Sequence, residues 1–283
     1  MDDKILFISQ HTYPDYMSDV ILHGGRSLLG ENFIEIQKID YMYDDYEYLA
    51  SIYGRGFTIF GKLDSKIKID RENIEYKIKN KYYKAIIYGS VFRSMKYFDI
   101  VKNVYGKKEI IFIDGEDGSY LHTEILEKGL YFKRELQKKD KMVYPIQFAI
   151  PEQLIINFKP KKTKDFATVI PFKGETYIFT DEKSYYEDYQ KSYFGITCKK
   201  AGWDCMRHYE IMMNYCFPYF EDLKDCPTLT MFRLPKKTIL KGMEKLQSKN
   251  FNCYEEFMEE IKENLIKKLT TKKMFEYILE YIS

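Results

Sequence analysis

Short apolar runs that alternate with helical stretches constrain the fold of this chain more than any other feature. The runs at 4–9, 84–88 and 109–113 each end in a polar loop, and a stretch of helical character follows each of them. Runs that are apolar throughout are typical of strands in a parallel sheet that helices cover on both faces. The pattern therefore predicts an α/β protein built on a parallel sheet.

The first predicted helix has an unusual interior. It begins at Ser18 or Asp19, runs to about Leu29 and contains Gly24 and Gly25. Each glycine costs about 1 kcal/mol relative to alanine inside a helix. Either the helix is short, or another segment packs close to its backbone at this point.

The length of the chain favours two folded units. Its 283 residues exceed the usual size of one domain, about 100 to 200 residues. The polar stretch 159–164 lies between Pro151 and Pro171 and is the best candidate for a linker. We therefore predict one lobe at 1–158 and a second at 159–283.

The remaining elements follow from hydrophobic spacing and from turn residues such as Gly54 and Gly56. The predicted strands are 33–37, 131–132, 143–150, 166–170, 177–179, 193–197 and 217–220. The predicted helices are one that ends near Val104, one after Gly118, and 182–191, 203–214, 236–248 and 254–282. The last two are amphipathic, which favours packing on their own domain over pairing with a partner helix.

Charge and composition exclude several classes of protein. The formal net charge is +2, so nucleic acid or an anionic membrane is not expected as the main partner, and any anion site must be local. The five cysteines form no C-x-x-C pair or Cys/His cluster, which argues against a disulfide framework or structural zinc. Without a signal-like start or an apolar run of about 18 residues, we expect a cytoplasmic protein with no transmembrane segment.

The densest group of polar residues lies at 199–210, between a predicted strand and a predicted helix. In open α/β sheets, ligands bind outside the carboxyl ends of the strands, and the start of the next helix offers free N–H groups to a phosphate. If Asp204 caps this helix, Arg207 and Glu210 share one face; the alternative is a solvated face with an ordinary ion pair. The candidate binding residues here are Lys200, Gly202, Trp203, Asp204, Arg207, His208 and Glu210.

Other candidates follow strands of the first half. Lys133 and Arg134 could neutralise a diphosphate, or they could be an ordinary charged edge. Asp114, Glu116 and Asp117 follow the run at 109–113, and one of them could act as a general base or contact an acceptor hydroxyl, although an acidic turn is the simpler interpretation. His11 follows the first strand and is a further candidate for a base.

Several diagnostic motifs are absent. The chain has no G-x-x-x-x-G-K-[ST], G-x-S-x-G, H-E-x-x-H or G-x-G-x-x-G. Their absence argues against P-loop ATPases, serine hydrolases, zinc proteases and ordinary NAD enzymes.

The succession of α/β units, the segment 192–220 and the long final helix resemble the GT-B-type glycosyltransferases. The most similar stretches, 192–197, 202–211 and 216–220, resemble the block of retaining and exostosin-like members in which an Arg and a Glu open a helix. Residues 15–19 also look like the opening of bacterial members. The chain is short for this family, and Asn214-Tyr-Cys216 replaces the small residues that commonly follow the Glu.

This resemblance implies two Rossmann-like lobes that face a cleft, with the acceptor on the first lobe and the nucleotide sugar on the second. It implies that Glu210 contacts the donor ribose and that Arg207, with the backbone near Gly202, approaches the diphosphate. Lys133 and Arg134 would complete the phosphate site.

The leading hypothesis is a metal-independent glycosyltransferase. It would move a sugar from a nucleotide-sugar donor, a co-substrate rather than a cofactor, to a glycan or other hydroxyl acceptor. One alternative is a non-catalytic binding or assembly protein with the same fold, and another is a different nucleotide-dependent transferase. The sequence does not select the sugar, the base, the acceptor, the stereochemical course or the oligomeric state.

Overall fold

The computed structural model describes residues 3–246 and 253–282, and its largest element is a sheet of six strands. The strands are β1 (Ile5–Ile8), β2 (Phe33–Glu35), β3 (Ala85–Tyr88), β4 (Ile110–Asp114), β5 (Leu130–Lys133) and β6 (Val143–Pro145). They lie in the order β2-β1-β3-β4-β5-β6, and every neighbouring pair is parallel. The order reverses between β1 and β3, and such a point is where open α/β sheets leave a crevice for ligands.

A second sheet follows in the second half of the chain. Its strands are β7 (Lys164–Phe166), β8 (Ser192–Ile196) and β9 (Phe217–Tyr219), which pair in parallel in that order. The helices of the described residues are α1 (Tyr16–Leu29), α2 (Ile74–Lys79), α3 (Phe98–Val104), α4 (Glu182–Gln190), α5 (Met206–Met213), α6 (Lys236–Leu246), α7 (Tyr254–Lys268) and α8 (Thr271–Leu279). Helices α4 and α5 connect the three strands of this sheet.

Helices cover both faces of the first sheet because successive strand side chains point to opposite faces. Ile5 and Phe7 of β1 belong to a hydrophobic cluster that contains residues of α1 and α8. Leu6 and Ile8 belong to another cluster, with residues of α2 and α3. The first cluster also includes residues of β8, β9 and α5 to α7, so one continuous core joins the two sheets.

The two glycines of α1 allow the end of the chain to pack against the helix backbone. A Cβ atom on Gly24 would lie 2.2 Å from the carbonyl oxygen of Thr271, and one on Gly25 would lie 2.6 Å from the Phe33 ring. Backbone hydrogen bonds between Ile150 and the chain around Thr271 fix the start of α8 beside the first sheet. The predicted close approach at these glycines is therefore confirmed, and α1 is not short.

The predicted fold class is confirmed at the level of an α/β protein with parallel sheets and helices. The strands predicted at 4–9, 33–37, 84–88, 109–113, 193–197 and 217–220 are present with small changes at their ends. The helix predicted at 182–191 is also present. These elements have the most regular sequence patterns, which explains why local signals were sufficient for them.

Several predicted elements were wrong in position or type. Helix α1 starts at Tyr16 because Asp15, rather than Ser18 or Asp19, is the cap, and its carboxylate accepts a hydrogen bond from the Ser18 N–H. The strand predicted at 166–170 lies at 164–166. The long final helix is two helices, because Thr270 caps α8 by accepting from the Lys273 N–H.

Two further elements are replaced by single turns. A 3-10 turn at Thr123–Ile125 stands where a helix was predicted after β4. No strand forms at 177–179, which a 3-10 turn at Gly174–Thr176 precedes. The helix predicted at 236–248 is described to Leu246, and its last two positions lie outside the described residues.

Candidate functional site

A cavity of about 780 Å³ lies between loops of the first half and the segment around α5. Residues of the first half form one side, among them Tyr16, 52–55, Phe57 and Phe148, and the other side includes Val169, Tyr177, 200–202, 204–207 and Glu210. Cavities of about 300–1,000 Å³ are typical of small-molecule sites. The cavity is therefore large enough for a ligand such as a nucleotide.

The start of α5 forms part of the cavity wall. The chain leaves the carboxyl end of β8 at Ile196, passes through a loop and enters α5 at Met206, and Cys205 to Arg207 line the cavity. The N-cap residue is Cys205, and its side chain makes no capping hydrogen bond. Free N–H groups and the positive end of the helix dipole at such a position favour an anion.

Asp204 lines the cavity but does not cap the helix, which corrects the sequence prediction. Its carboxylate accepts hydrogen bonds from the Phe148 N–H at 2.6 Å and from the Tyr209 hydroxyl at 2.7 Å. Burial raises the pKa of the Asp204 carboxyl to about 6. Asp204 therefore ties the loop before α5 to the first half of the chain.

Three cationic side chains line the cavity without a carboxylate partner. The Arg207 guanidinium lies 5.1 Å from the centre of the Tyr177 ring, and its Nε is buried without a hydrogen-bond partner. Within residues 3–246 and 253–282, neither Arg207 nor Lys200 nor Arg55 forms an ion pair. A buried donor without a partner is costly, and an anionic ligand would satisfy it.

Aromatic rings form the apolar part of the wall. Phe57 stacks on Tyr185 with ring centres 5.6 Å apart and an angle of 27° between the rings. Phe179 contacts the same tyrosine at 5.9 Å, and Tyr53 packs edge-on against Tyr16 at 5.9 Å. Flat apolar faces of this kind can stack on a nucleobase or on the face of a sugar ring.

Glu210 lies in the wall and bridges the two halves of the chain. Its carboxylate accepts hydrogen bonds from the Thr58 hydroxyl at 2.5 Å and from the Tyr185 hydroxyl at 2.7 Å. The residue is 9% exposed. A ligand hydroxyl that approached Glu210 would add to these contacts or replace one of them.

Gly202 lines the cavity, whereas Trp203 and His208 lie behind its wall. A Cβ atom on Gly202 would lie 2.7 Å from a carboxylate oxygen of Glu135, so only glycine allows this packing. The His208 ring contacts the Trp203 carbonyl oxygen at 2.7 Å and the Thr197 hydroxyl at 2.8 Å. Burial lowers the pKa of His208 to about 4, which keeps the ring neutral near pH 7.

Lys133 and Arg134 do not line the cavity. The Lys133 ammonium lies 2.7 Å from the Asp114 carboxylate, both side chains are fully buried, and burial lowers the pKa of Lys133. The Arg134 guanidinium donates to the carbonyl oxygens of Gly115 at 2.8 Å and Asp204 at 2.6 Å. Both cations are already neutralised or bonded within the protein, so neither is placed to bind a phosphate in the cavity.

Of the four candidate bases, Asp117 lines the cavity and accepts a hydrogen bond from Arg134, whereas Asp114, Glu116 and His11 are not part of the lining. Asp114 accepts a hydrogen bond from the Tyr131 hydroxyl at 2.5 Å in addition to its pairing with Lys133. Glu116 pairs with Arg93 at 2.7 Å, and His11 is half-buried in the loop after β1. The structure brings together Asp117, Lys200, Gly202, Asp204, Arg207 and Glu210, and it places the other seven predicted residues outside the cavity lining.

Sequence reasoning missed most of the residues that the first half contributes. Arg55 was noted only as part of the turn at Gly54 and Gly56, Phe57 only as following that turn, and Tyr177 and Tyr185 only as parts of a predicted strand and helix. The one available signal was the glycine pair around Arg55, which marks a turn. A turn alone does not reveal that its side chains face a site 150 residues away in the chain; the Thr58–Glu210 hydrogen bond spans 152 positions.

Comparison of the chain with protein-family models, curated proteins and solved structures finds no match. Among the described residues, no group of three or more His, Cys, Asp and Glu side chains is arranged to hold a metal ion. In the same part of the chain, no helix is both long enough and apolar enough to cross a membrane.

Proposed function

We propose that this protein is a glycosyltransferase that binds a nucleotide sugar in the cavity and transfers the sugar to a hydroxyl acceptor. The observation that carries the proposal is that Arg55, Lys200 and Arg207 line one cavity with the start of α5 and an aromatic wall, and that none of them forms an ion pair within the described residues. A nucleoside diphosphate combines an anionic group with a flat ring, and this surface is complementary to both.

The chemistry of glycosyl transfer suits such a site. The bond between the anomeric carbon and the diphosphate oxygen breaks, a new bond to the acceptor oxygen forms, and the acceptor proton passes to an oxygen of the departing diphosphate or to water. Negative charge accumulates on the departing diphosphate, and fixed cations and helix N–H groups stabilise charge that develops in this way. In this proposal Arg207 and Lys200 stabilise the leaving group without a metal ion. The Glu210 carboxylate accepts a hydrogen bond from a ribose hydroxyl.

The proposal includes the GT-B organisation that the sequence resembles. The lobe at 159–283 would hold the nucleotide and the lobe at 1–158 would hold a glycan or other hydroxyl acceptor. The position of the cavity, with walls from both halves of the chain, supports this arrangement.

A second candidate function, binding without transfer, is favoured by one observation. The carboxylates that line the cavity are Asp117, Asp204 and Glu210, and protein donors already bond to each of them. Each hydrogen bond to a carboxylate lowers its basicity, whereas a general base must take the proton of the acceptor hydroxyl. Formation of a glycosylated product, detected by mass spectrometry, would separate the transferase from the binding protein.

The direct test is a thermal-shift and calorimetric screen of the whole chain against nucleoside diphosphates and nucleotide sugars. A ligand at about 100 times its Kd should add about 2.7 kcal/mol to the free energy of unfolding. The Arg207→Gln and Glu210→Gln variants should bind it about 10- to 100-fold more weakly, the range for losing a hydrogen bond to a charged group.

Arg233→Gln is the matched control for these variants. Arg233 also stacks on a tyrosine, with its guanidinium carbon 4.4 Å from the centre of the Tyr277 ring, but it does not line the cavity. We expect the affinity of the Arg233→Gln variant for the nucleotide ligand to equal that of the unmodified chain. If no nucleotide binds, or if Arg233→Gln weakens binding as much as Arg207→Gln, the proposed site is refuted.

A further inference from the structure

The segment 53–58 reaches the cavity in a strained backbone conformation. Arg55 and Thr58 have φ angles of 57° and 70°, in the left-handed region, and neither is glycine. For a β-branched residue such as threonine, positive φ is a genuine outlier, and it persists only where surrounding contacts enforce it. Gly54 and Gly56, also at positive φ, make the flanking turns possible.

Contacts with the second half of the chain enforce this conformation at Thr58. The Thr58 N–H donates to the Glu182 carboxylate at 2.5 Å, and its hydroxyl donates to the Glu210 carboxylate at 2.5 Å. The same hydroxyl lies 2.8 Å from the Tyr186 hydroxyl, and Lys62 pairs with Glu182 at 2.8 Å. Thr58 is fully buried, so these contacts are shielded from water.

The residues just before Thr58 form the first-half wall of the cavity. Phe57 stacks on Tyr185, a residue that also donates to Glu210. Arg55 lines the cavity, is exposed and forms no ion pair within the described part of the chain. The anchor at Thr58 thus fixes the segment that carries Arg55 to the cavity that Arg207 and Lys200 also line.

We propose that Arg55 is a ligand-binding residue that contacts the diphosphate group of the ligand, and that Thr58 is the positioning residue that holds it at the cavity. The inference rests on the proposed function for the identity of the ligand, and it adds a residue from the first half to the anion site. Oxygens of a diphosphate would be shared between cations from both halves of the chain. Affinity for the anion would then depend on the strained turn.

The test measures the affinity of the whole chain for inorganic pyrophosphate and for nucleoside diphosphates by calorimetry. Arg55→Gln should weaken the binding of both about tenfold, the lower end of the range for a charged hydrogen bond because Arg55 is partly solvated. Thr58→Ala should weaken binding similarly, and Thr58→Ser, which keeps the hydroxyl, should bind within about twofold of the unmodified chain.

A double-mutant cycle separates positioning from a general structural effect. If Thr58 acts through Arg55, the variant with both Arg55→Gln and Thr58→Ala should bind pyrophosphate, which has no ribose to contact Glu210, no more weakly than Arg55→Gln alone. Losses that multiply would overturn the positioning role. If Thr58→Ala does not fold, Glu182→Gln provides the same test, because Glu182 accepts from the Thr58 N–H and does not line the cavity.

The two proposals fail in different ways. Pyrophosphate binding that depends on Arg55, without tighter binding of any nucleotide, would support the inference and refute the proposed function. Binding of a nucleotide sugar that Arg55→Gln leaves unchanged would refute the inference and support the proposed function. An unmodified chain that binds neither ligand would refute both.

Discussion

Two groups of charged residues lie near each other in this fold, and they differ in how their charges are satisfied. At the carboxyl end of the first sheet, Asp114 pairs with Lys133, and Arg93 pairs with Asp15 and Glu116. Around the cavity, Arg55, Lys200 and Arg207 form no ion pair within the described residues. Residue type is similar in both regions, so pairing distinguishes a structural cluster from a candidate binding site.

The largest expected change in the free energy of unfolding is for a residue of the paired cluster at the carboxyl end of the first sheet. Lys133→Met should lower the free energy of unfolding by about 3–5 kcal/mol, because it leaves the buried Asp114 carboxylate without its counter-charge. Urea unfolding measures this loss. The double variant with Asp114→Asn should recover part of it, and a loss below about 1 kcal/mol would show that the pair is not structural.

A smaller contribution to the free energy of unfolding, about 3 kcal/mol from His208, should depend on pH. The pKa of His208 is about 4 in the folded chain and about 6.5 when unfolded, so its contribution is complete above pH 6.5 and is lost as pH falls toward 4. Asp204 acts in the opposite direction, because its raised pKa of about 6 makes its contribution decrease as pH rises from 4 to 6.

Comparison of the unmodified chain with His208→Gln isolates the histidine, since the contribution of Asp204 is common to both proteins. The difference in free energy of unfolding, measured by denaturant titrations between pH 4 and 7, should favour the unmodified chain increasingly as pH rises. A difference that stays constant over this range would contradict a neutral, buried His208.

The smallest expected change in the free energy of unfolding distinguishes an arginine of the paired cluster from an arginine of the cavity. Arg93→Gln should cost about 1–2 kcal/mol of stability, because Arg93 bonds to the buried Asp15 carboxylate at 2.8 Å. Arg207→Gln should change stability by less than about 0.5 kcal/mol, since it removes no ion pair within the described chain and relieves a buried donor. Equal losses in thermal or chemical unfolding would remove the distinction between the two regions.

The same distinction explains how far sequence reasoning could reach. Strands β1, β3 and β4 were predicted because each is an uninterrupted apolar run, a local signal. Most residues at 200–210 reach one cavity because they are neighbours in the chain and follow a strand. Locally encoded features were therefore predictable, both in the fold and in the candidate site.

Features that depend on distant partners were not. Lys133 appeared to be a phosphate ligand because the sequence does not show that Asp114 lies 2.7 Å away on the neighbouring strand. Thr58 and Arg55 were not predicted as site residues, because Thr58 is held by contacts with Glu182 and Glu210, which lie 124 and 152 positions later in the chain. Ion pairs between distant segments of the chain determine which charged side chains remain free to bind a ligand. A single sequence contains no local pattern from which these pairs can be predicted.

The docking of α8 on α1 has a consequence for biosynthesis. The His23 ring contacts the Thr271 hydroxyl across 248 positions of the chain, and Gly24 lies under the same residue. During translation, the part of α1 and of the first sheet that α8 covers therefore stays exposed until α8 has left the ribosome. Such long-range closure slows folding and exposes apolar surface meanwhile, so truncation after α7 should yield a chain that depends on chaperones.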